Sequence, residues 1–492
     1  MYGCGVSPRA GIAVLGTVLL GACAVNPVTH RPELVLMSAA KERELGAEQA
    51  KQVEQSIGFA GTPELTGYVT EVGTRVAAAS PRSDVPYAFH IIDMEEPNAF
   101  ALPNGDVYVS RGMLALLSSE DELAGVLGHE VGHIAARHSV QRATRAVPLT
   151  VVTGLVSGVT GLASPLLGNV VGGMGQAATG LVVASYSRDQ ERQADELGQQ
   201  FAAASGWSPA ALSQALDALE RSQADQGAAR RASFFDSHPS TPERVERAAA
   251  YARTLPASAP LPDRAARLAF AKRLDGLVIG IPASQGVVDA PLFLHPDLDL
   301  SLRFPDEWRI VNGRREVSAS APQGRALVVL DAVAQGDDPQ LGAQALERQA
   351  GAKLPGQLER LTINGNPAAR TRVEASTDYG PVALYLTWIA YQGRVYQITG
   401  LVPVDASTRF APIFESVAGS FRSLTAAERA SLRETRLRLI PAQAGETPAA
   451  IAVRTDSPWS GAMIAAANGT ALDARFAAGD QVKVAISEPY RP

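Results

Sequence analysis

An α+β architecture is predicted for this chain of 492 residues from three changes of texture along it. In the first half, apolar residues recur with helical period, most plainly at Leu123, Val126, Leu127, Val131 and Ile134. Beyond Arg253, Pro256, Pro260, Pro262 and the stretch Gly280 to Gly286 interrupt the chain around a short helix from Asp263 to Leu274, and strand-like runs follow. The tail from Arg436 to Val484 reads as strand, turn, helix, helix, Asn-Gly turn and strand. The expected parts are a mainly helical domain at 38–275, a linker at 276–290, a compact α+β domain at 291–425 and a small module at 436–488.

At the N-terminus, Arg9 precedes the apolar run Ala10 to Leu20, and Leu20-Gly21-Ala22-Cys23 follows. This predicts a lipoprotein signal peptide over 1–22, cleavage before Cys23, lipid on its sulfur, and a tether over 23–37. The apolar run is shorter than the roughly 20 residues that span a bilayer. Ala24, where an inner-membrane lipoprotein would carry Asp, points to a periplasm-facing protein of a bacterial outer membrane. Cys4 and Cys23 are the two cysteines, and cleavage would remove the first, so no internal disulfide is expected in the mature chain. A net charge of -6 and a pI near 5.8 offer no basic surface, and nucleic acid is not expected as a partner.

The chain has seven histidines, of which His129, His133 and His138 fall within ten positions. His129-Glu130-Val131-Gly132-His133 lies on the striped segment from Asp121 to His138, with Ser118, Ser119, Glu120 and Asp121 as capping and first-turn residues. At i and i+4 both imidazoles share one helix face and can reach one metal ion, with Glu130 beside it. A catalytic zinc takes three protein ligands and keeps an open position. Downstream, Glu191 and Asp195 are again i, i+4: one could ligate while the other accepts the free ring N–H of a histidine ligand. By spacing alone, an ordinary charged helix face is the favoured reading.

H-E-x-x-H followed by E-x-[EQ]-A-D, here Glu191-Arg192-Gln193-Ala194-Asp195, resembles the zinc metallopeptidase family that includes the CAAX prenyl endopeptidase, HtpX and BepA. Two further pieces occur in the family's order. Pro97 to Val109 resembles the strand and hairpin before the metal helix, with Asn104-Gly105 where the family has two glycines; Ser237-His238-Pro239 through Arg244 resembles a late S-H-P-x-x-x-x-R element. The resemblance runs from Ser38 to Arg253. It implies a zincin-like fold, one zinc per chain held by His129, His133 and Glu191, and Glu130 as general base. Asp195 would orient a ligand. His238 and Arg244 would stabilise the tetrahedral oxyanion, or His238 would occupy the open zinc position and hold the enzyme latent. The strand Asn98, Ala99, Phe100, Ala101 would pair with an extended substrate backbone. By analogy with the family, the substrates would be unfolded or misassembled envelope proteins.

Residues 146–187 carry no charge before Arg188 and many glycines, and are read as helices packed on the protein, with membrane insertion as the alternative. In the middle domain, strands are expected at 298–304, 326–332, 369–373, 382–391 and 394–401 and helices at 339–349 and 412–420; Phe293 to Trp308 resembles PsbP-like domains. His295 is read as a turn residue before Pro296. The tail is similar to a LysM module, with Pro448 departing from the pattern, and the resemblance implies peptidoglycan as a partner. Two other functions fit these residues: a non-catalytic assembly or peptidoglycan-tethering lipoprotein with structural zinc, and a zinc cell-wall amidase. An intact Glu130 favours an enzyme, because structural zinc does not need it.

Overall fold

The computed structural model describes residues 23–25, 28, 32–34, 37–142, 185–226, 234–239, 242–255, 259–355, 357–377 and 380–491. The expected signal peptide at 1–22, residues 146–184 of the uncharged stretch and the Cys23 side chain lie outside the described residues. The chain is α+β and forms two compact units. Among the described residues, one unit takes those up to 142, 185–279 and 436–486; the other takes 280–435 and 487–491.

In the first unit, short strands β1 (Cys23–Val25) and β2 (Pro32–Leu34) pair antiparallel. Helix α1 (Ala39–Ser56) starts on the Ser38 cap, and α2 (Pro63–Ala77) on the Thr62 cap with proline in its first turn. Strands β3 (Ala88–Ile92), β4 (Ala99–Ala101) and β5 (Asp106–Ser110) form a sheet in the order β3-β5-β4, with β3 parallel and β4 antiparallel to β5. Gly105, at φ +108°, supplies the turn between β4 and β5, as the Asn104-Gly105 pair predicts. Then come α3 (Arg111–Leu116), α4 (Glu120–Ala135), α5 (Arg188–Ala204), α6 (Ala211–Gln226), α7 (Phe234–Ser237), α8 (Pro242–Ala252) and α9 (Arg264–Leu274). Helix α4 is the centre of the unit. Its residues Leu123, Val126, Leu127, Val131 and Ile134 join one core with Val69, Val72, Phe201 and Leu216.

The second unit holds a three-stranded sheet, β6 (Val287–Asp289), β7 (Leu292–His295) and β8 (Leu300–Arg303). Its larger sheet orders β12-β13-β14-β15-β11-β10-β9, from β9 (Arg309–Asn312), β10 (Glu316–Ser320), β11 (Leu327–Gln335), β12 (Glu359–Ile363), β13 (Asn366–Thr377), β14 (Gly380–Tyr391) and β15 (Arg394–Pro403). Helix α10 (Gln340–Ala350) packs with Trp388 and Val395 on one face; α11 (Ser407–Gly419) packs with Ile398 and Val402 on the other. The strands read from the sequence are present, as β8, β11, β13, β14 and β15. β6, β7, β9, β10 and β12 were not read from the sequence; β9 and β12 are the larger sheet's two edges, and no residue of β9 is buried. His295 ends β7 and its Nδ1 accepts from the Leu298 amide, the turn role expected of it.

The tail follows α12 (Ala426–Ser431) in the expected order: β16 (Arg433–Pro441), α13 (Pro448–Arg454), α14 (Gly461–Ala467) and β17 (Gln481–Pro489), with β16 and β17 paired. Residues 436–486 do not stand apart from the first unit. Leu437, Ala466 and Ala485 are part of its core, and the expected linker residues Gly276 and Leu277 exchange backbone hydrogen bonds of 2.8 Å with Leu437. Lys483 is buried, and its Nζ donates to the carbonyls of Ala115 and Leu117 just before α4. Burial brings its ammonium down to about 7. Beside it the Glu122 carboxylate accepts from the Ser118 amide and hydroxyl, both at 2.6 Å.

Two stability effects follow. Lys483→Ala strips two buried carbonyls of their donor and should destabilise the chain by about 1–3 kcal/mol in a denaturant titration; an unchanged midpoint would contradict the anchoring. In the second unit, Glu316 and Asp331 are direct cross-strand partners. Burial, with Glu316 adding to it, pushes the Asp331 carboxyl up to about 7 from its ordinary 3.8. A raised folded-state value means stability that is complete below the unfolded value and lost as pH rises through 7. The gain in melting temperature from Asp331→Asn should therefore grow between pH ~5 and ~8. A pH-independent gain contradicts this origin.

Candidate metal centre

The site is assembled where two helices touch backbone to backbone. A β-carbon at Gly198 of α5 would lie 2.6 Å from the His129 nitrogen of α4, and one at Gly128 would lie 2.8 Å from the Gly198 carbonyl. Only glycine permits this approach, which sets Glu191 and Asp195 of α5 against His129 and His133 of α4. The first turn of α4 is pinned as well: Tyr68 Oη and Trp207 Nε1 donate to Glu120 at 2.8 and 2.9 Å, and the Ser208 amide donates to Asp121 at 2.8 Å.

His129, His133, Glu191 and His238 turn donor atoms to one point, all within 4.8 Å of one another and all buried. His129 Nε2 is 3.0 Å from His133 Nε2 and 3.2 Å from His238 Nδ1. Glu191 Oε1 is 3.0 Å from His238 Nδ1 and 3.4 Å from His133 Nε2. Atoms about 2.0–2.1 Å from a tetrahedral zinc stand ~3.3–3.4 Å apart. The observed spacings of 3.0 to 3.4 Å come within a few tenths of an ångström of such a tetrahedron's edges, and three imidazoles with a carboxylate are a zinc donor set, so the residues present fit the ion.

Behind the donors lies a charged layer. His129 Nδ1 is 2.9 Å from Asp195 Oδ1. The Arg244 guanidinium donates to both Asp195 oxygens at 2.7 Å and lies 2.8 Å from Glu191 Oε2. Burial alone would raise the Glu191 carboxyl; His238 and Arg244 outweigh it and hold it well below the usual carboxylate range. Asp195 is lowered likewise, burial being outweighed by Arg244 and His129. Burial keeps His133 well below its ordinary value, the neutral state a ligand needs. Arg244 was expected at the oxyanion. Its charge is instead directed at the two carboxylates, which it holds ionised.

Glu130 is fully buried, and among the described residues neither carboxylate oxygen has a hydrogen-bond partner. Burial raises its carboxyl, His238 and His129 offsetting only part of the effect. His238 Nε2 is 3.6 Å from Glu130 Oε1. Phe234 stacks on His238 with ring centroids 4.3 Å apart, and Tyr186 stacks on His133 at 4.0 Å. β4 is an edge strand, as the pairing reading requires, and Ala99, Phe100 and Ala101 are buried in it. The Asn98 amide donates to Ser110 Oγ, and the Pro97 carbonyl accepts from the Phe234 amide, linking this strand to α7. Tyr186, Phe234 and His138 were not singled out from sequence as site residues. For Tyr186 and Phe234, nothing in the pattern signals them.

Residues 63–252 match the peptidase family M48. This stretch is an M48 peptidase domain. Similar proteins include the mitochondrial metalloendopeptidase OMA1 of Schizosaccharomyces pombe, 31% identical over 45% of this chain and 64% of that protein. The beta-barrel assembly-enhancing protease of Escherichia coli is 29% identical over 37% of this chain and 38% of its own length; the metalloprotease YcaL of the same organism is 32% identical over 33% and 60%. The chain thus spans less than two thirds of each of these relatives. The solution structure of a cyanobacterial PsbP from Synechocystis is similar at a TM-score of 0.24 and 11% identity, over 28% of this chain and 95% of that one. The M48 domain places His129, His133, Glu191 and His238 in one buried cluster, with Glu130 alongside and Asp195 and Arg244 directly behind.

Proposed function

We propose that this chain is a zinc-dependent endopeptidase of the bacterial cell envelope that cuts unfolded or misassembled envelope proteins. The observation that carries the reading is Glu130: a carboxylate buried beside a four-donor cluster, with neither oxygen hydrogen-bonded among the described residues, is costly and serves no structural end. Bound there, zinc supplies Lewis acidity towards a peptide carbonyl and acidifies water. Glu130 takes the proton of the attacking water and passes it to the leaving amine, a transfer its raised carboxyl suits. Asp195 fixes the His129 ring, and Arg244 keeps both carboxylates ionised. The edge strand at Asn98 to Ala101 aligns an extended substrate.

His238 takes the latching role in this reading. Its Nδ1 belongs to the donor set and its Nε2 faces Glu130, so the same ring covers the open position and the general base. A substrate has to displace it.

The envelope location rests on the lipobox around Cys23 and on the likeness to proteins named for envelope work. Among the described residues, no helix is long and apolar enough to cross a membrane. A membrane contact through lipidated Cys23 and a peptidoglycan contact through 436–488 belong to the same proposal.

Casein cleavage with and without chelator tests the activity. Glu130→Gln should retain zinc and lose ~10²–10⁴-fold in turnover, whereas His129→Ala, His133→Ala and Glu191→Gln should lose zinc. His238→Ala should raise turnover of a short peptide; a fall would assign His238 to the transition state alone. Full activity in Glu130→Gln sinks the mechanism. A zinc-loaded protein that spares casein but cuts cell-wall peptides would be an amidase, and one inert to both an assembly factor. For location, Cys23→Ala should shift the protein from the membrane to the soluble fraction; persistence in salt-washed membranes contradicts the lipid anchor.

A further inference from the structure

Beyond the donor cluster, His138 is completely buried, and neither the proposed chemistry nor the family's motif as read from the sequence uses it. Its Nδ1 lies 2.9 Å from His133 Nδ1, and its Nε2 lies 3.0 Å from Gln193 Oε1. We propose that His138 and Gln193 are positioning residues of the metal centre, a two-member relay that fixes the tautomer and ring angle of His133 as Asp195 does for His129. The inference rests on the metallopeptidase reading and adds to it residues outside the donor set.

His133 turns Nε2 to the donor cluster, so in the neutral ligand Nε2 carries the lone pair and Nδ1 the hydrogen. That hydrogen needs an acceptor, and the facing atom is His138 Nδ1, which must therefore be the unprotonated nitrogen of its ring. His138 then carries its hydrogen on Nε2 and must meet an oxygen there. The atom that faces it is the Gln193 carbonyl oxygen. Each link permits one assignment only, and the final link agrees with the others.

The two ligands are consequently unlike. His129 is backed by a carboxylate, which strengthens its donor nitrogen; His133 is backed by a neutral imidazole, which orients it without adding charge. A second carboxylate here would stand in a cluster that already holds Glu130, Glu191 and Asp195. The relay also ties the segment after α4 to the helix carrying Glu191, as does the bond from Gln190 Nε2 to Gln141 Oε1 at 3.0 Å.

The test is zinc affinity by chelator competition, together with tautomer assignment by long-range 1H–15N spectra of histidine-labelled protein. His138→Phe, which keeps a ring, and Gln193→Leu, which frees His138 to adopt the opposing tautomer, should each weaken zinc binding by about 10–100-fold. Gln193→Glu preserves the acceptor and should bind within a few-fold of wild type. In the unaltered protein, His138 should carry its hydrogen on Nε2. If the wild type binds no zinc, the metallopeptidase reading itself fails. If it binds zinc and Gln193→Leu binds equally well, or if His138 is protonated on Nδ1, the relay is wrong and the rest of the site stands. Should His138→Phe not fold, Gln193→Leu and the spectrum still decide.

Discussion

Everything at the metal centre depends on the backbone contact between α4 and α5. Side chains at this contact would hold the two helices at an ordinary interaxial distance of 8–10 Å and set Glu191 and Asp195 back from the imidazoles. Gly128 and Gly198 remove those side chains, and Gly132 meets the Ala194 carbonyl in the same way. The Glu191 carboxylate then sits against the two imidazoles, and Asp195, one turn on, reaches the far side of His129. Close packing here is a condition of the chemistry, because a longer separation would leave two histidines and a carboxylate as three unrelated buried polar groups.

Such a cluster is expensive to bury, and the surrounding structure is arranged to hold it. The N-terminal end of α4 is fastened by Glu120, Asp121 and Glu122 to Tyr68, Trp207, Ser208 and Ser118, and Lys483 of the tail closes the carbonyls just before it. After its C-terminal end, Arg137 donates to Glu42 of α1 at 2.8 Å, and Glu42 also faces Arg82. The metal-bearing helix is therefore gripped through the first and last parts of the described chain. Rigidity of this kind keeps His129 and His133 in register, while His238 is the donor that stands outside the helix pair, just after α7.

Much of this was legible in the sequence. The stripe of α4 and its H-E-x-x-H spacing predicted a buried helix with two histidines on one face, and the Ser119 cap is where the acidic first turn implied it. Glu191 and Asp195 were ambiguous from spacing, since an i, i+4 carboxylate pair looks the same on a solvated face; burial against α4 resolves it. His138 could not be read. Five residues beyond His133, a continuous helix would carry it roughly 140° away from that ring. The structure brings it back because the helix ends at Ala135 and Arg137 takes a left-handed φ of +58°. The tail shows the same limit. Its element order followed from turn residues and periodicity, but its attachment did not, because a lysine in an alternating strand reads as solvent-facing and Lys483 is buried.

X-ray absorption at the zinc edge asks whether a single zinc sits in this cluster and whether His238 closes its coordination. The zinc-loaded protein should show four light scatterers at ~2.0–2.1 Å with the outer-shell pattern of three imidazoles, and His238→Ala should lose one imidazole and no other ligand. An absorption edge that is unchanged in His238→Ala, or zinc bound without imidazole scattering, would contradict a zinc centre closed by His238.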